Sequence, residues 1–141
     1  MYLMSPYLED VYSPHVYKKL VKKTVTKVRK IKRELKFTHI AFRGSSGAAM
    51  AFPVSMITGI PLIHVRKLTE RSHGYPIEGY GNCEKYIIID DFICTGKTVK
   101  GITNSLKDIE CVGIITYNSD TKSEYVITRG RKRIQIPVFA P

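Results

Sequence analysis

The sequence predicts an α/β fold, with a central, mainly parallel sheet covered by helices on both faces. Three observations carry this reading. Between residues 37 and 117 short apolar strands alternate with helical segments, the pattern of βα units joined by right-handed crossovers. Tyr86-Ile87-Ile88-Ile89 is an unbroken apolar run, as expected of a parallel strand with no solvent face. That run ends in Asp90-Asp91-Phe92-Ile93-Cys94-Thr95-Gly96-Lys97-Thr98, placing acids and a Thr/Gly turn at the carboxyl end of a strand, where open α/β sheets bind ligands.

With 141 residues the chain reads as one domain over 1–141, long enough for a real core. Its apolar content excludes a largely disordered chain. No run of about 18 apolar residues is available to span a membrane. Met1-Tyr2-Leu3-Met4-Ser5-Pro6 lacks the basic region and the long apolar run of a secretory signal. Cys83, Cys94 and Cys111 are odd in number and follow no metal spacing, so they are expected as free thiols in a reducing cytoplasm.

In chain order, the first element is a basic helix over about 14–35. Tyr17, Leu20, Thr24, Val28, Ile31 and Leu35 recur at three- and four-residue spacing, Ser13 is a candidate N-cap and Pro14 a candidate first residue. Residues 18–36 hold ten Lys/Arg against Glu34 alone, a net +9 of the chain's +11. A solvated face, attraction of a polyanionic substrate and contact with nucleic acid all remain open for it. Aromatic residues are not interleaved with the cations, so base stacking is unsupported.

Phe37–Phe42 reads as a strand running into a small-residue loop, Arg43-Gly44-Ser45-Ser46-Gly47, which can offer an anion N–H groups and a guanidinium together. A plain strand-to-helix turn is the simpler alternative. Ala48–Thr58 is apolar enough for a buried helix interrupted at Pro53 and stopped by Gly59. Pro61–Val65 is a second strand ending in Arg66-Lys67, and residues 68–84 form a long aperiodic loop of the kind that is functional or disordered.

Beyond the central motif, Val99–Ile109 is expected to continue as a helix with Ile102, Leu106 and Ile109 inward, followed by a core strand over Cys111–Tyr117. Residues 118–128 are polar and ambiguous. Arg129-Gly130-Arg131-Lys132-Arg133 reads as a charged hairpin turn, or less simply as a nucleic-acid patch. It leads to Ile134–Phe139, expected as an edge strand because Pro137 lies near its end.

The chemistry concentrates after Ile89. Carboxylates accept hydrogen bonds from sugar hydroxyls, while the Thr/Gly turn and helix start favour a phosphate. A sugar phosphate therefore suits both halves. A helix-capping role for the acids is the bland alternative. A P-loop is excluded, because that motif needs Gly five residues before Gly96 and Asp91 stands there.

The run IIIDDFICTGKT resembles the PRPP-binding motif of type I phosphoribosyltransferases, and the resemblance covers about residues 37–117. It implies a three-layer α/β/α domain whose small hood comes from the termini, 1–36 and 118–141. The implied reaction is displacement of pyrophosphate from carbon 1 of PRPP by a nitrogenous base, with Mg²⁺ held mainly by PRPP and close to the acids, in nucleotide synthesis or salvage. Carried across, Asp90 and Asp91 are catalytic, Cys94, Thr95, Gly96, Lys97 and Thr98 hold the 5′-phosphate, and Arg43, Gly44, Ser45, Ser46, Gly47, Arg66 and Lys67 hold pyrophosphate.

Val65-Arg66-Lys67 with Arg71-Ser72-His73-Gly74 is similar to the orotate-type lid pattern, with one extra residue and Arg71 in place of lysine. Arg71 and His73 would then sit on a lid, in cis or across a homodimer. In 6-oxopurine enzymes the position of Cys94 is commonly Asp, so a hypoxanthine–guanine acceptor is disfavoured and the base stays open. The alternatives are a non-catalytic PRPP-sensing regulator that binds RNA or DNA, and an unrelated nucleotide-binding α/β domain.

Overall fold

The computed structural model describes residues 1–5, 8–70, 74–118 and 123–141. The sheet has seven strands in the order β3-β2-β1-β4-β5-β7-β6, with β1 His39–Phe42, β2 Leu62–Val65, β3 Ile77–Gly79, β4 Lys85–Asp90, β5 Glu110–Thr116, β6 Glu124–Arg129 and β7 Lys132–Phe139. The five inner strands run parallel, and β3 and β6 pair antiparallel at the two edges. The expected mainly parallel sheet is therefore present.

Alternation along β4 divides the core. Ile87 and Ile89 face α2 (Pro14–Leu35) and α3 (Gly44–Thr58) through Val28, Ile31, Met50 and Val54. Tyr86 and Ile88 face α4 (Lys97–Ser105) through Val99 and Ile102. All four β4 residues are fully buried, which is why this strand reads as continuous hydrophobic sequence rather than alternation.

Helix α2 keeps its expected bounds, with Pro14 in its first turn and Lys36 as a left-handed C-cap whose N–H donates to the Lys32 carbonyl at 3.0 Å. A short helix, α1 (Glu9–Tyr12), precedes it. The terminal segments expected to form a hood also contribute to the core. Val21, Val25, Val28 and Ile31 of α2 join the main core, and β7 sits inside the sheet between β5 and β6.

The expected edge position of β7 is corrected. The edge is β6, in the stretch whose polar composition hid a strand. Pro137 is tolerated in β7 because parallel pairing with β5 engages Ile114↔Val138 and Ile115↔Phe139, just beyond it. The turn at Gly130-Arg131 closes the expected charged hairpin.

Two further boundaries moved. Helix α4 ends at Ser105 rather than Ile109, held by Arg129, whose guanidinium donates to the Thr103 carbonyl at 2.6 Å and the Lys107 carbonyl at 2.8 Å. Helix α3 starts at Gly44, so the predicted loop Gly44–Gly47 is its first turn, with Arg43 as N-cap. Gly59 ends α3 in the left-handed conformation, as expected of a C-terminal glycine.

Candidate active site

The carboxyl ends of β1 and β4 lie side by side, because β1 pairs with β4 along His39↔Tyr86 to Ala41↔Ile88. A cleft of about 170 Å³, open to solvent, lies there, lined by Ser46 and by every residue from Asp90 to Val99. Asp90, Asp91, Cys94, Thr95, Gly96, Lys97 and Thr98 are thus brought together as the sequence suggested.

Asp90 is 4 % exposed. Its Oδ1 accepts hydrogen bonds from Ser46 Oγ at 3.1 Å and from the Asp91 N–H at 3.0 Å. Burial, and then the charge of Asp91, push its pKa up to about 7. Asp91 is half-buried, with Oδ1 accepting from the Phe92 N–H at 2.9 Å. The two acids therefore differ: one is enclosed and holds its proton near neutrality, the other faces the cleft.

Behind them stands Tyr117, at the end of β5. Its hydroxyl donates to the Ser46 carbonyl at 2.6 Å, and its N–H to the Asp90 carbonyl at 3.1 Å. Burial, then the charges of Asp91 and Asp90, raise the pKa of the phenol, so it remains a donor. Tyr117 was not singled out from the sequence, although its place directly after an apolar run could have flagged it.

Opposite the acids, Gly96 turns the chain into α4 with φ +78°. Only glycine adopts this readily, and the space is also taken. A Cβ at position 96 would stand 2.7 Å from Cζ of Tyr125, whose hydroxyl donates to the Gly96 carbonyl at 3.4 Å. The Gly96 turn is thus held from β6, by a residue in a stretch without readable periodicity. The N-terminal N–H groups of α4 lack intrahelical acceptors and suit an anion. Thr95 and Lys97 are exposed beside them.

The remaining expected residues divide. Ser46 lines the cleft, and Lys67 Cε passes 3.9 Å from where a Cβ on Gly44 would stand, so the Lys67 side chain lies over this turn. Ser45 is exposed there. Gly47 serves packing, since an added Cβ would meet Phe42 Cβ at 3.1 Å and the Ile89 carbonyl at 3.2 Å.

Arg43 points away from the cleft. Its Nε donates to the Val65 carbonyl at 3.1 Å and its guanidinium lies against Gly101 of α4. Arg66 pairs with Glu78 of β3 at 2.8 Å, with its Nε buried and unpartnered among the described residues. Glu78 and Gly101 were invisible to the sequence reading because only the tertiary fold brings them to these arginines. Arg71 and His73, the lid expectation, lie outside the described residues.

Among the described residues, His, Cys, Asp and Glu gather nowhere in threes as a metal cage. A carboxylate pair with one member facing the cleft suits instead a Mg²⁺ held mainly by substrate oxygens. All three cysteines are free, and no helix of the described residues is long and apolar enough to cross a membrane.

An acidic strand end, a glycine-opened turn into α4 and this sheet order define a type I phosphoribosyltransferase fold. The chain belongs to the PRTase-CE family, whose model matches residues 3–139. It is 29% identical over 153 residues to a hypoxanthine/guanine phosphoribosyltransferase of Methanocorpusculum labreanum, covering 96% of this chain and 75% of that one. It is 30% identical over 84 residues to a xanthine phosphoribosyltransferase of Brevibacillus brevis, covering 45% and 43% of the two. Among solved structures, orotate phosphoribosyltransferase of Francisella tularensis superposes with a TM-score of 0.62 at 18% identity, covering 82% of this chain and 56% of that one. The chain thus spans just over half of that solved protein. The expected class of enzyme, phosphoribosyltransferase with its base unspecified, stands with the family.

Proposed function

We propose that this chain transfers a 5-phosphoribosyl group from PRPP to a nitrogenous base, releasing pyrophosphate. The observation that carries this reading is the single cleft in which Asp90 and Asp91 face the Gly96 turn that opens α4. In it the 5′-phosphate binds the N–H groups at the start of α4, with Thr95 and Lys97 beside it. Asp91, facing the cleft, accepts hydrogen bonds from the ribose hydroxyls. In its ionised form Asp90 adds negative charge from behind as the sugar carbon becomes electron-poor, which favours the transition state over the ground state.

Pyrophosphate leaves on the Gly44 side, towards Lys67 and the exposed Ser45. Asp90 and Asp91, with PRPP, would hold a Mg²⁺, which would supply positive charge to neutralise the departing pyrophosphate. Arg43 and Arg66 reach pyrophosphate only by exchanging the partners described above. The free thiols suit a reducing cytoplasm, and a homodimer with a shared lid remains part of this proposal.

The test is pyrophosphate release from PRPP and Mg²⁺ with a panel of purine and pyrimidine bases, beside Asp90→Asn/Asp91→Asn. Release with one base, lost in the double variant, supports the reading and names the acceptor. PRPP binding without release for any base overturns transfer in favour of a PRPP sensor. Absence of PRPP binding overturns the site.

A further inference from the structure

The transfer reaction makes no use of the chain's dominant charge feature. Ten cations on residues 18–36 face one acid. In the structure Lys18, Lys19, Lys22, Lys23, Arg29, Lys30, Arg33 and Lys36 are exposed. Among the described residues the ion pairs are Arg66–Glu78 and Lys85–Glu110, and neither draws on α2.

At about 100° per residue, Lys18, Lys22, Arg29 and Arg33 fall within about 60° of one another, a single row about 22 Å long, and Lys36 follows at its end as the C-cap. Like charges at four-residue spacing, such as Lys18/Lys22 and Arg29/Arg33, weaken a helix. An ordinary solvated face intersperses acids; this one carries uncompensated repulsion that a polyanion would relieve.

Two features select the kind of polyanion. The apolar stripe of α2, Val21, Val25, Val28 and Ile31, is consumed by the core, and the outward sector between Lys18 and Lys36 offers no apolar side chain. A helix lying in a lipid interface needs that apolar face. The row is also long, and it ends in a groove lined by Arg29, Lys32, Arg33 and Lys36. This groove lies by Phe37 and Thr38, before β1, whereas the cleft lies after β1 and β4. The two are at opposite ends of the sheet.

We infer that α2 is a docking surface for the phosphate backbone of nucleic acid, read by charge and not by base sequence. Its groove end, from Arg29 to Lys36, lies across the sheet from the PRPP cleft, so nucleic acid held there leaves the cleft free. Cations spaced along a helix meet successive phosphates and release their counterions, without aromatic residues to stack on bases.

The test is titration of the whole chain with a labelled duplex of about two helical turns, at salt from about 50 to about 200 mM. About five phosphate contacts predict a log–log slope of about −4.5. Lys22→Gln/Arg29→Gln/Arg33→Gln should weaken binding at least tenfold and flatten that slope, with PRPP binding unchanged. Arg131→Gln/Lys132→Gln/Arg133→Gln removes equal charge from the β6–β7 turn and should change affinity less than threefold. An equal loss in both variants overturns the assignment to α2. Tighter binding to phosphatidylserine vesicles than to the duplex overturns it in favour of a membrane surface. A duplex that competes with PRPP overturns the separation of the two sites.

Discussion

Ser46 Oγ donates to Oδ1 of Asp90 at 3.1 Å, tying the first turn of α3 to the end of the central strand. The bond joins the two loops that the fold sets side by side, and it favours the ionised form of an acid that burial drives the other way. Ser46→Ala should therefore move the Asp90 pKa further above about 7. Carboxyl chemical shifts followed by NMR across pH check this, and an unmoved or lowered midpoint contradicts it.

Asp90 also makes stability depend on pH. Its folded pKa lies above its unfolded value, so the native state keeps a proton that the unfolded chain has lost. Its contribution is fully present below about pH 4 and is lost as pH rises through about 7. Asp90→Asn, which does not titrate, should flatten this window and gain about 1–3 kcal/mol at pH 8 relative to the parent. Urea unfolding at a series of pH values measures it.

Gly47 lies where α3 comes closest to β4, with the Ile89 carbonyl 3.2 Å from the position of an added Cβ. Gly47→Ala should cost about 1–3 kcal/mol. It should also lift Ser46 away from Asp90. A denaturation midpoint unchanged from the parent would refute this packing argument.

At Gly96 two effects coincide, a left-handed φ of +78° and the ring of Tyr125. Gly96→Ala is expected to weaken PRPP binding at least tenfold, and Tyr125→Ala should not rescue it fully, because the backbone strain remains. Isothermal titration of the three variants separates the steric share from the conformational one.

Arg129 closes α4 by donating to the Thr103 and Lys107 carbonyls. Arg129→Ala should lower stability by about 1–2 kcal/mol, because charge-assisted bonds to helix-end carbonyls are lost. Thermal unfolding checks it, and Arg129→Lys is expected to recover only part, having no paired donors.

Much of the site was legible because it is local. Asp90 to Thr98 form one uninterrupted stretch, so strand, acids, turn and helix start could be read from neighbouring residues. Helix α2 was legible because its apolar spacing and Pro14 agree. What escaped depends on contacts distant in sequence. Arg43 and Arg66 carry the charge an anion site needs, but Val65, Gly101 and Glu78 take them up in this structure, and no local pattern announces such partners. Strand β3 is only three residues long, and β6 owes its place to pairing with β7 rather than to its own alternation. That α2 and β7 also serve the core was not legible, because an amphipathic helix and an apolar strand fit a core as well as they fit a cap.

The pairing of β1 with β4 also governs when the cleft can exist. Thr38 donates to the Lys85 carbonyl across a sequence separation of 47, so the glycine turn and the acids meet only after a long loop has closed. An emerging polypeptide carries the Gly44 turn early, but it has no carboxylate to set opposite it until β4 has left the ribosome and docked. Closure over that separation slows folding relative to local helix formation. Binding competence should therefore arise late and in a single step, together with the completed sheet.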